Sequence, residues 1–278
     1  MAPAVTPLLA LIIFAAGILA GVVGALFGIG GGVFLVPLLN LALGFPIGNA
    51  AAISLATVIA TSGSVTARSA GKGLINVRLG MVLEIATAAG GVLGGLTAQL
   101  LSQSTIQKLF GAVTAFVAVL TAWRAGKRNV ILDTAVDPGA LGGRFHDPET
   151  GADVVYRVKR MPLALAASFL AGNVSSLLGI GGGVVKVPVL NGWCGIPLRA
   201  AAATSAFMIG VTATSGVIIY YLNGQVIAAA AAAAILGVQV GSWAGQKLSV
   251  RMPVRSLKLL LATVLAIVAT LMFVRGTR

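Results

Sequence analysis

The chain has 278 residues, of which 58% are hydrophobic and only 9% are charged, and its formal net charge is +13. Soluble domains carry roughly 25% charged residues, so this composition excludes a water-solvated surface over the whole chain. No charged residue precedes Arg68, and that stretch far exceeds the ~20 apolar residues that cross a bilayer. The composition therefore predicts an all-α polytopic membrane protein embedded in a lipid bilayer.

The basic residues and the reactive side chains exclude several functions. The 19 lysines and arginines lie mostly between apolar segments, which is the distribution that orients membrane proteins, so no nucleic-acid partner is predicted. One cysteine, Cys194, allows no intramolecular disulfide, and one histidine, His146, allows no histidine-based metal cluster. We see no nucleophile–base pair, and we predict a protein that is not an enzyme and uses neither a metal nor a cofactor.

Ten apolar segments follow one another along the chain. The first lacks the positively charged start of a secretory signal, so we expect it to remain as a helix. In chain order the segments cover residues 7–27, 33–45, 47–67, 79–101 and 106–123, and then 163–178, 184–196, 200–222, 226–245 and 257–274. We expect a first transmembrane repeat over residues 1–123, a polar linker over 124–161 and a second transmembrane repeat over 162–278.

The linker is the most polar part of the chain. It holds five of the six acidic residues and seven of the basic residues. Within it, "RFHDPETGADVVYRV" places turn residues between two short β-prone runs, which predicts a small hairpin. We interpret the linker as a cytoplasmic connector rather than a catalytic domain.

A glycine-rich motif occurs twice. "LFGIGGGVFLVPLLN" begins at Leu26, "LLGIGGGVVKVPVLN" begins at Leu177, and 11 of the 15 positions are identical at an offset of 151 residues. "GFPI" at Gly44 and "GIPL" at Gly195 keep the same offset. Two homologous repeats, each with four long helices and one short glycine-led helix, therefore make up the chain. Internal duplication is common in secondary transporters, whose substrate site lies at the repeat interface.

The glycines lead into segments of 13 residues, which are about 20 Å long as helices and too short to span a core of roughly 30 Å. The N-terminus of such a helix binds anions, and glycines let an anion approach the amides because no Cβ intervenes. Two facing N-termini would cradle one small anion. The alternative is that the glycines only allow close helix packing. The candidate substrate-binding glycines are Gly28, Gly30, Gly31, Gly32, Gly179, Gly181, Gly182 and Gly183.

Two ionisable residues lie within apolar segments. Lys186 replaces Leu35 of the first motif, and we predict that it adds a positive charge to the anion site; the alternative is a side chain that reaches an interface. Glu84 is the only acid outside the linker. A carboxylate buried in the 79–101 helix can carry a coupling proton, whereas one near the helix end would lie beside Arg78.

Polar uncharged side chains complete the candidate site. We predict that Asn40, Asn191, Thr57 and Ser205 contact the substrate, although many Ser and Thr residues of membrane helices bond only their own helix. The wider set of hydroxyls that could donate to an oxyanion is Ser54, Thr61, Ser62, Ser64, Thr204, Thr212, Thr214 and Ser215.

The motifs resemble a known family. The paired "GIGGG…VP.L" elements, the helical unit present twice and the polar central linker are similar to the TauE/SafE sulfite-exporter family of membrane permeases. The resemblance covers nearly the whole chain. "GGGVVKVP" and "AATSAF" of the second half match the family well, and "AAISLAT" of the first half matches more loosely. The resemblance implies transport of sulfite, thiosulfate, sulfoacetate or a similar sulfur oxyanion or organosulfonate, with Lys186 at the site.

The residues and the resemblance together predict a secondary transporter of a small anion in the cell inner membrane, which works by alternating access around the two motifs. A proton or a sodium ion would be the coupling ion, and a homodimer is compatible with the sequence. A passive anion channel and a membrane assembly or scaffold protein are the alternatives.

Charge counting predicts the topology. If each short segment crosses the membrane, the repeats are inverted, and 15 basic residues share the side of the linker against Lys108, Arg275 and Arg278, with the intramembrane Lys186 left out of the count. If the short segments re-enter instead, the split is 12 against six. The positive-inside rule favours the first arrangement, so we predict inverted repeats with both termini outside.

Overall fold

The computed structural model describes residues 3, 5–27, 30–71, 73–123, 137–147, 151–251 and 254–277. Ten α-helices account for most of them. The first half contains α1 (Pro7–Phe27), α2 (Gly32–Pro37), α3 (Ile47–Ser69), α4 (Val77–Leu100) and α5 (Gln103–Trp123). The second half contains α6 (Met161–Leu178), α7 (Gly183–Gly192), α8 (Leu198–Leu222), α9 (Ala228–Arg251) and α10 (Val254–Thr277).

Eight of the described helices are long and apolar enough to cross a membrane. Large apolar side chains also cover the outside of the bundle, as at Ile85 and Leu100, which are 78% and 86% exposed. In a bilayer these side chains face lipid rather than water. The prediction of an all-α polytopic membrane protein is confirmed, and each half of the chain has four long helices and one short one.

The short helices end earlier than the sequence pattern predicts. Helix α2 ends at Pro37 and continues as a π-helical turn over Leu38–Ala42. Helix α7 ends at Gly192. Gly44 and Gly195 then adopt φ angles of 70° and 78°, and these left-handed turns lead into α3 and α8.

The linker forms the predicted hairpin. Strand β1 (Gly143–Asp147) pairs antiparallel with β2 (Ala152–Tyr156), and Phe145 lies opposite Val154. Residues 124–136 and 148–150 of the linker lie outside the described residues. The two strands are joined to α6 by the segment before Met161.

Helices from the first half of the chain pack against helices from the second half. Helix α1 packs on α9, and α4 packs on α6. A Cβ placed on Gly241 of α9 would collide with the carbonyl of Ile18, and one placed on Gly90 of α4 would collide with the carbonyl of Phe169. The two contacts are related by the same offset of 151 residues. Glycines therefore bring these helix backbones together, as small residues do in membrane bundles.

Equivalent helices of the two halves run antiparallel where they touch. In the α3–α8 pair, the Ser62 hydroxyl donates to the carbonyl of Ala206, whereas Gly216 lies against Leu55. In the α5–α10 pair, the Ser104 hydroxyl donates to the carbonyl of Gly276, whereas Gly111 lies against Ala269. Because α5 runs toward the linker, α10 ends on the side opposite the linker.

Candidate functional site

The two glycine motifs meet in the middle of the bundle. Gly30 and Gly181 both lie against the side chains of Val58 and Ile209, which are themselves 151 residues apart and buried. A Cβ placed on Gly32 would come within 2.6 Å of the carbonyl oxygen of Gly179. The structure thus brings together the described glycines of the predicted site, while Gly28 lies outside the described residues.

A glycine in the left-handed backbone conformation precedes each of the two short helices. Gly31, with a φ of 75°, precedes α2, and Gly182, with a φ of 52°, precedes α7, which begins at Gly183. A Cβ on Gly31 would press on the Ala20 carbonyl of α1. A Cβ on Gly182 would instead lie 3.4 Å from both Lys186 Cε and Ser175 Cβ. Gly182 therefore borders polar side chains, whereas Gly31 borders the helix before it.

Lys186 lies one turn into α7 and forms a buried ion pair. Its side chain is 1% exposed, and its Nζ atom lies 3.7 Å from Oε2 of Glu84 on α4, which is 12% exposed. The alternative in which Lys186 reaches an interface is wrong, because its charge stays inside the bundle. The sequence prediction treated Lys186 and Glu84 separately, and it missed their pairing.

Thr212 of α8 joins the two charged groups. Its hydroxyl donates to Oε1 of Glu84 at 2.8 Å, and Lys186 Nζ donates to the same hydroxyl oxygen at 3.4 Å. Lys186, Glu84 and Thr212 thus form a closed triangle from three helices. Burying a charge is costly unless it is paired and hydrogen-bonded, so each of the three groups helps to hold the others inside the bundle.

Several buried hydroxyls of α6 and α8 have no hydrogen-bond partner, and one of them, Ser175, lies against Gly182 at the start of α7. Among the described residues they include Ser175, Ser176 and Ser205, each 0% exposed. Buried polar groups are usually satisfied, so these hydroxyls are free to bind a ligand or a water molecule. Ser205 belongs to the predicted site, whereas Ser175 and Ser176 were missed. Their position just before the second motif was the signal that could have indicated them.

The charged triangle takes Glu84 from the first half of the chain and Lys186 and Thr212 from the second half. The positions 151 residues from Lys186, Glu84 and Thr212 hold Leu35, Ile235 and Thr61. Only the threonine recurs. The three equivalent positions therefore form an uncharged counterpart, with two apolar side chains and one hydroxyl.

A small cavity lies beside the first motif, at this uncharged counterpart. Its lining hydroxyls are already used, because Thr61 donates to the carbonyl of Thr57 and Ser62 donates to that of Ala206. The cavity therefore presents no free hydroxyl donor from these two residues. Its lining consists of Gly24, Gly30, Thr61, Ser62, Val65, Ala206 and Ile209.

The other predicted polar residues bind backbone. Asn40 Nδ2 donates to the carbonyl of Phe45 at 2.8 Å, and Asn191 Nδ2 donates to that of Ile196 at 2.9 Å, so each closes the turn after a short helix. The Thr57 hydroxyl donates to the carbonyl of Ser54 in its own helix. These three side chains lie outside the Lys186 triangle. No group of three or more potential metal ligands is found among the described residues.

Comparison with known proteins fits this architecture. The sequence profile of the sulfite exporter TauE/SafE family matches residues 13–272. The chain belongs to this family. It is 24% identical to the probable membrane transporter protein YunE of Bacillus subtilis, over 94% of this chain and 96% of that protein. It is also 24% identical to a probable membrane transporter protein of Methanocaldococcus jannaschii, over 92% of both chains.

Another relative has a higher sequence identity to this chain, over a shorter region. A probable membrane transporter protein of Xylella fastidiosa is 36% identical over 39% of this chain and 42% of that protein. No solved structure matches the chain significantly. The family and the eight candidate spans together identify a multi-pass membrane transporter.

Proposed function

We propose that the protein is a secondary transporter of a small anion, which it moves by alternating access around the two glycine motifs. The observation that carries this proposal is the buried Lys186 near the start of α7, beside Gly182 and the unpartnered hydroxyl of Ser175. The family name supports a sulfur oxyanion or organosulfonate, such as sulfite, thiosulfate or sulfoacetate.

The chemistry at the start of α7 suits an oxyanion. The N-terminal end of a helix carries a partial positive charge and free amide N–H groups. Gly182 keeps that end open because it has no side chain. Lys186 adds a full positive charge, and Ser175, whose side chain also borders Gly182, supplies an unpartnered hydroxyl. A small anion with several oxygens can accept hydrogen bonds from all of these donors at once.

Glu84 provides a physical basis for coupling anion transport to the movement of a second ion. In the absence of substrate Glu84 neutralises Lys186. A second negative charge beside the same ammonium is unfavourable, because like charges in a low-dielectric site repel strongly. An anion therefore binds Lys186 well only when Glu84 takes up a proton or moves away. A proton is the simplest coupling ion, and a sodium ion at the Glu84 carboxylate is the alternative.

The architecture proposed for this mechanism is a pair of inverted repeats in the cell inner membrane, with the linker in the cytoplasm. The antiparallel α3–α8 and α5–α10 pairs support inversion, since parallel repeats would place equivalent helices in the same direction. Inverted repeats suit alternating access, because one half can rock against the other around a fixed site.

The decisive experiment is a binding and uptake panel on the purified protein. Sulfite, thiosulfate, sulfoacetate, sulfate and taurine are tested by thermal shift in detergent and by uptake into proteoliposomes. We expect at least one anion to bind and to be taken up. Lys186→Gln should abolish that uptake, whereas the control Lys108→Gln, at an exposed lysine, should not. If no anion in the panel binds, or if Lys186→Gln behaves as wild type, the proposed anion site is wrong. Uptake that is passive and independent of Glu84 would indicate a channel instead.

A further inference from the structure

The hairpin of the linker packs into the helical bundle. Phe145, Val154 and Tyr156 lie on one face of it, and they are 4%, 0% and 1% exposed. They join an apolar cluster with buried residues from four helices and the α7–α8 turn. We call this the hairpin cluster; its helical and turn members are Leu79, Leu83, Ala164, Val189, Leu190, Cys194, Ile196, Ala200, Ala201 and Met208.

The hairpin cluster lies directly over the charged triangle, on the linker side. Leu83 precedes Glu84 in α4. Leu190 follows Lys186 by one turn in α7, which runs toward the linker side, and Met208 precedes Thr212 by one turn in α8, which starts there. On each of the three helices, a residue of the hairpin cluster thus lies within one helical turn of a residue of the triangle. Toward the linker side, the next turn of α7 and of α8 and the neighbouring residue of α4 therefore meet the apolar face of the hairpin.

Asn76 fastens the hairpin to the helices. Its Nδ2 group faces the carbonyl oxygens of Leu141 and Gly142 at 2.8 and 3.2 Å and the Tyr156 hydroxyl at 3.2 Å. Its backbone N–H donates to the Thr204 hydroxyl of α8 at 2.9 Å. Its Oδ1 atom caps α4 by accepting from the amide of Leu79. One side chain therefore ties the base of the hairpin and the start of α4 together, beside α8.

A second attachment holds the chain that leaves the hairpin after β2. The amide of Lys159, just after β2, donates to the carbonyl of Cys194 in the α7–α8 turn at 3.0 Å. The linker occurs once in the chain, so this cover belongs to one side of the molecule. The duplicated helices alone do not provide it.

From this geometry we infer that the hairpin is a lid over the linker-side route to the Lys186–Glu84 site, latched by Asn76. The structure is the closed state. Opening requires the Asn76 contacts to Leu141, Gly142 and Tyr156 to break and the apolar face of the hairpin to leave the cluster. The inference rests on the proposed function in one respect, which is that the site beneath the lid binds the transported anion.

The rate at which a thiol reagent labels Cys194 measures the opening of the lid without an added reporter group. Cys194 is the only cysteine of the chain, and it is 0% exposed within the hairpin cluster. A small membrane-impermeant maleimide should therefore label the wild-type protein slowly. Asn76→Ala should speed labelling by about tenfold, the equilibrium change that corresponds to ~1.4 kcal/mol of lost latch contacts. Tyr156→Phe removes one latch partner and keeps the α4 cap, so it should speed labelling by a smaller factor.

The matched control is Asn49→Ala. Asn49 Nδ2 donates to the carbonyl of Gln225 at 2.9 Å, near the start of α3 and away from the hairpin, so its loss should leave Cys194 labelling unchanged. Wild-type labelling rates in both Asn76→Ala and Tyr156→Phe would overturn the lid, as would equal acceleration in Asn49→Ala. In sealed vesicles, acceleration must appear with the reagent on the linker side, and acceleration from the opposite side alone would also overturn it. The measurement uses no transported anion, so its result is independent of the proposed substrate.

Discussion

Lys186 and Glu84 come from opposite halves of the chain, and their charged groups lie 3.7 Å apart inside the bundle. Neither residue has a charged counterpart in the other repeat, where Leu35 and Ile235 occupy the equivalent positions. The fold therefore carries one charge pair across the interface between the two halves of the chain. A protein that needed only a stable bundle could use apolar residues at both positions, because a buried ion pair is often no more stable than a well-packed apolar pair.

The ion pair predicts a specific pattern of stability. Lys186→Gln leaves Glu84 without its cation, and removing one partner of a buried pair costs about 3–5 kcal/mol. The double variant Lys186→Gln, Glu84→Gln removes both charges and should recover most of the lost stability. Unfolding in detergent by scanning fluorimetry measures both effects. Anion binding should stay lost in the double variant, because the ammonium is absent. A double variant as unstable as Lys186→Gln alone would contradict the pairing.

The competition between Glu84 and the anion predicts a pH dependence. Protonation of Glu84 removes its charge from beside Lys186, so anion binding by the wild-type protein should strengthen as the pH falls. Glu84→Gln imitates the protonated form, and its anion affinity should be independent of pH and at least as high as that of the wild type. In proteoliposomes this variant should exchange anions without responding to a pH gradient. Wild-type pH dependence in Glu84→Gln would return Glu84 to a structural role.

The glycine before α7 predicts a steric effect on the same site. Gly182 and Gly44 both have positive φ angles, 52° and 70°, so alanine at either position carries a similar backbone strain of about 1–2 kcal/mol. Only at Gly182 would the new Cβ border Lys186 and Ser175, since no atom lies within 4 Å at Gly44. Gly182→Ala should weaken anion binding strongly, whereas Gly44→Ala should lower stability alone. Gly182→Val should be worse, and equal binding losses in the two alanine variants would show that strain is the cause.

Much of this fold can be predicted from the sequence because the strongest signals are local. The apolar runs predict the long helices, and the repeated motif predicts that two glycine turns are equivalent. The turn residues between β-prone runs predict the hairpin of β1 and β2. Each signal needs only neighbouring residues or a fixed offset, so no knowledge of the packing is required.

The pairing of residues across the interface is not local, and it could not be predicted in the same way. Glu84 and Lys186 meet because α4 packs beside α6 and α8. Glycines such as Gly90 and Gly94 allow this packing, since they let the backbone of α4 approach that of α6. Thr212 looks like any hydroxyl in a membrane helix until its two charged partners are known. Asn40 and Asn191 are predicted as substrate contacts because they are polar side chains in apolar segments, and the sequence does not indicate that each donates to the carbonyl that closes the turn after a short helix.

The antiparallel helix pairs predict where the chain ends lie in the membrane. Helix α5 leads into the linker, and α10 packs against it in the opposite direction, as the Ser104–Gly276 and Gly111–Ala269 contacts require. The C-terminus should therefore lie on the side opposite the linker. Because the linker carries seven basic residues, the positive-inside rule places it in the cytoplasm. A reporter pair fused to the C-terminus, one active only outside and one only in the cytoplasm, should give the outside signal. The same pair inserted in the linker, between residues 124 and 136, should give the cytoplasmic signal. A cytoplasmic signal from both sites would rule out inverted repeats and leave the parallel arrangement.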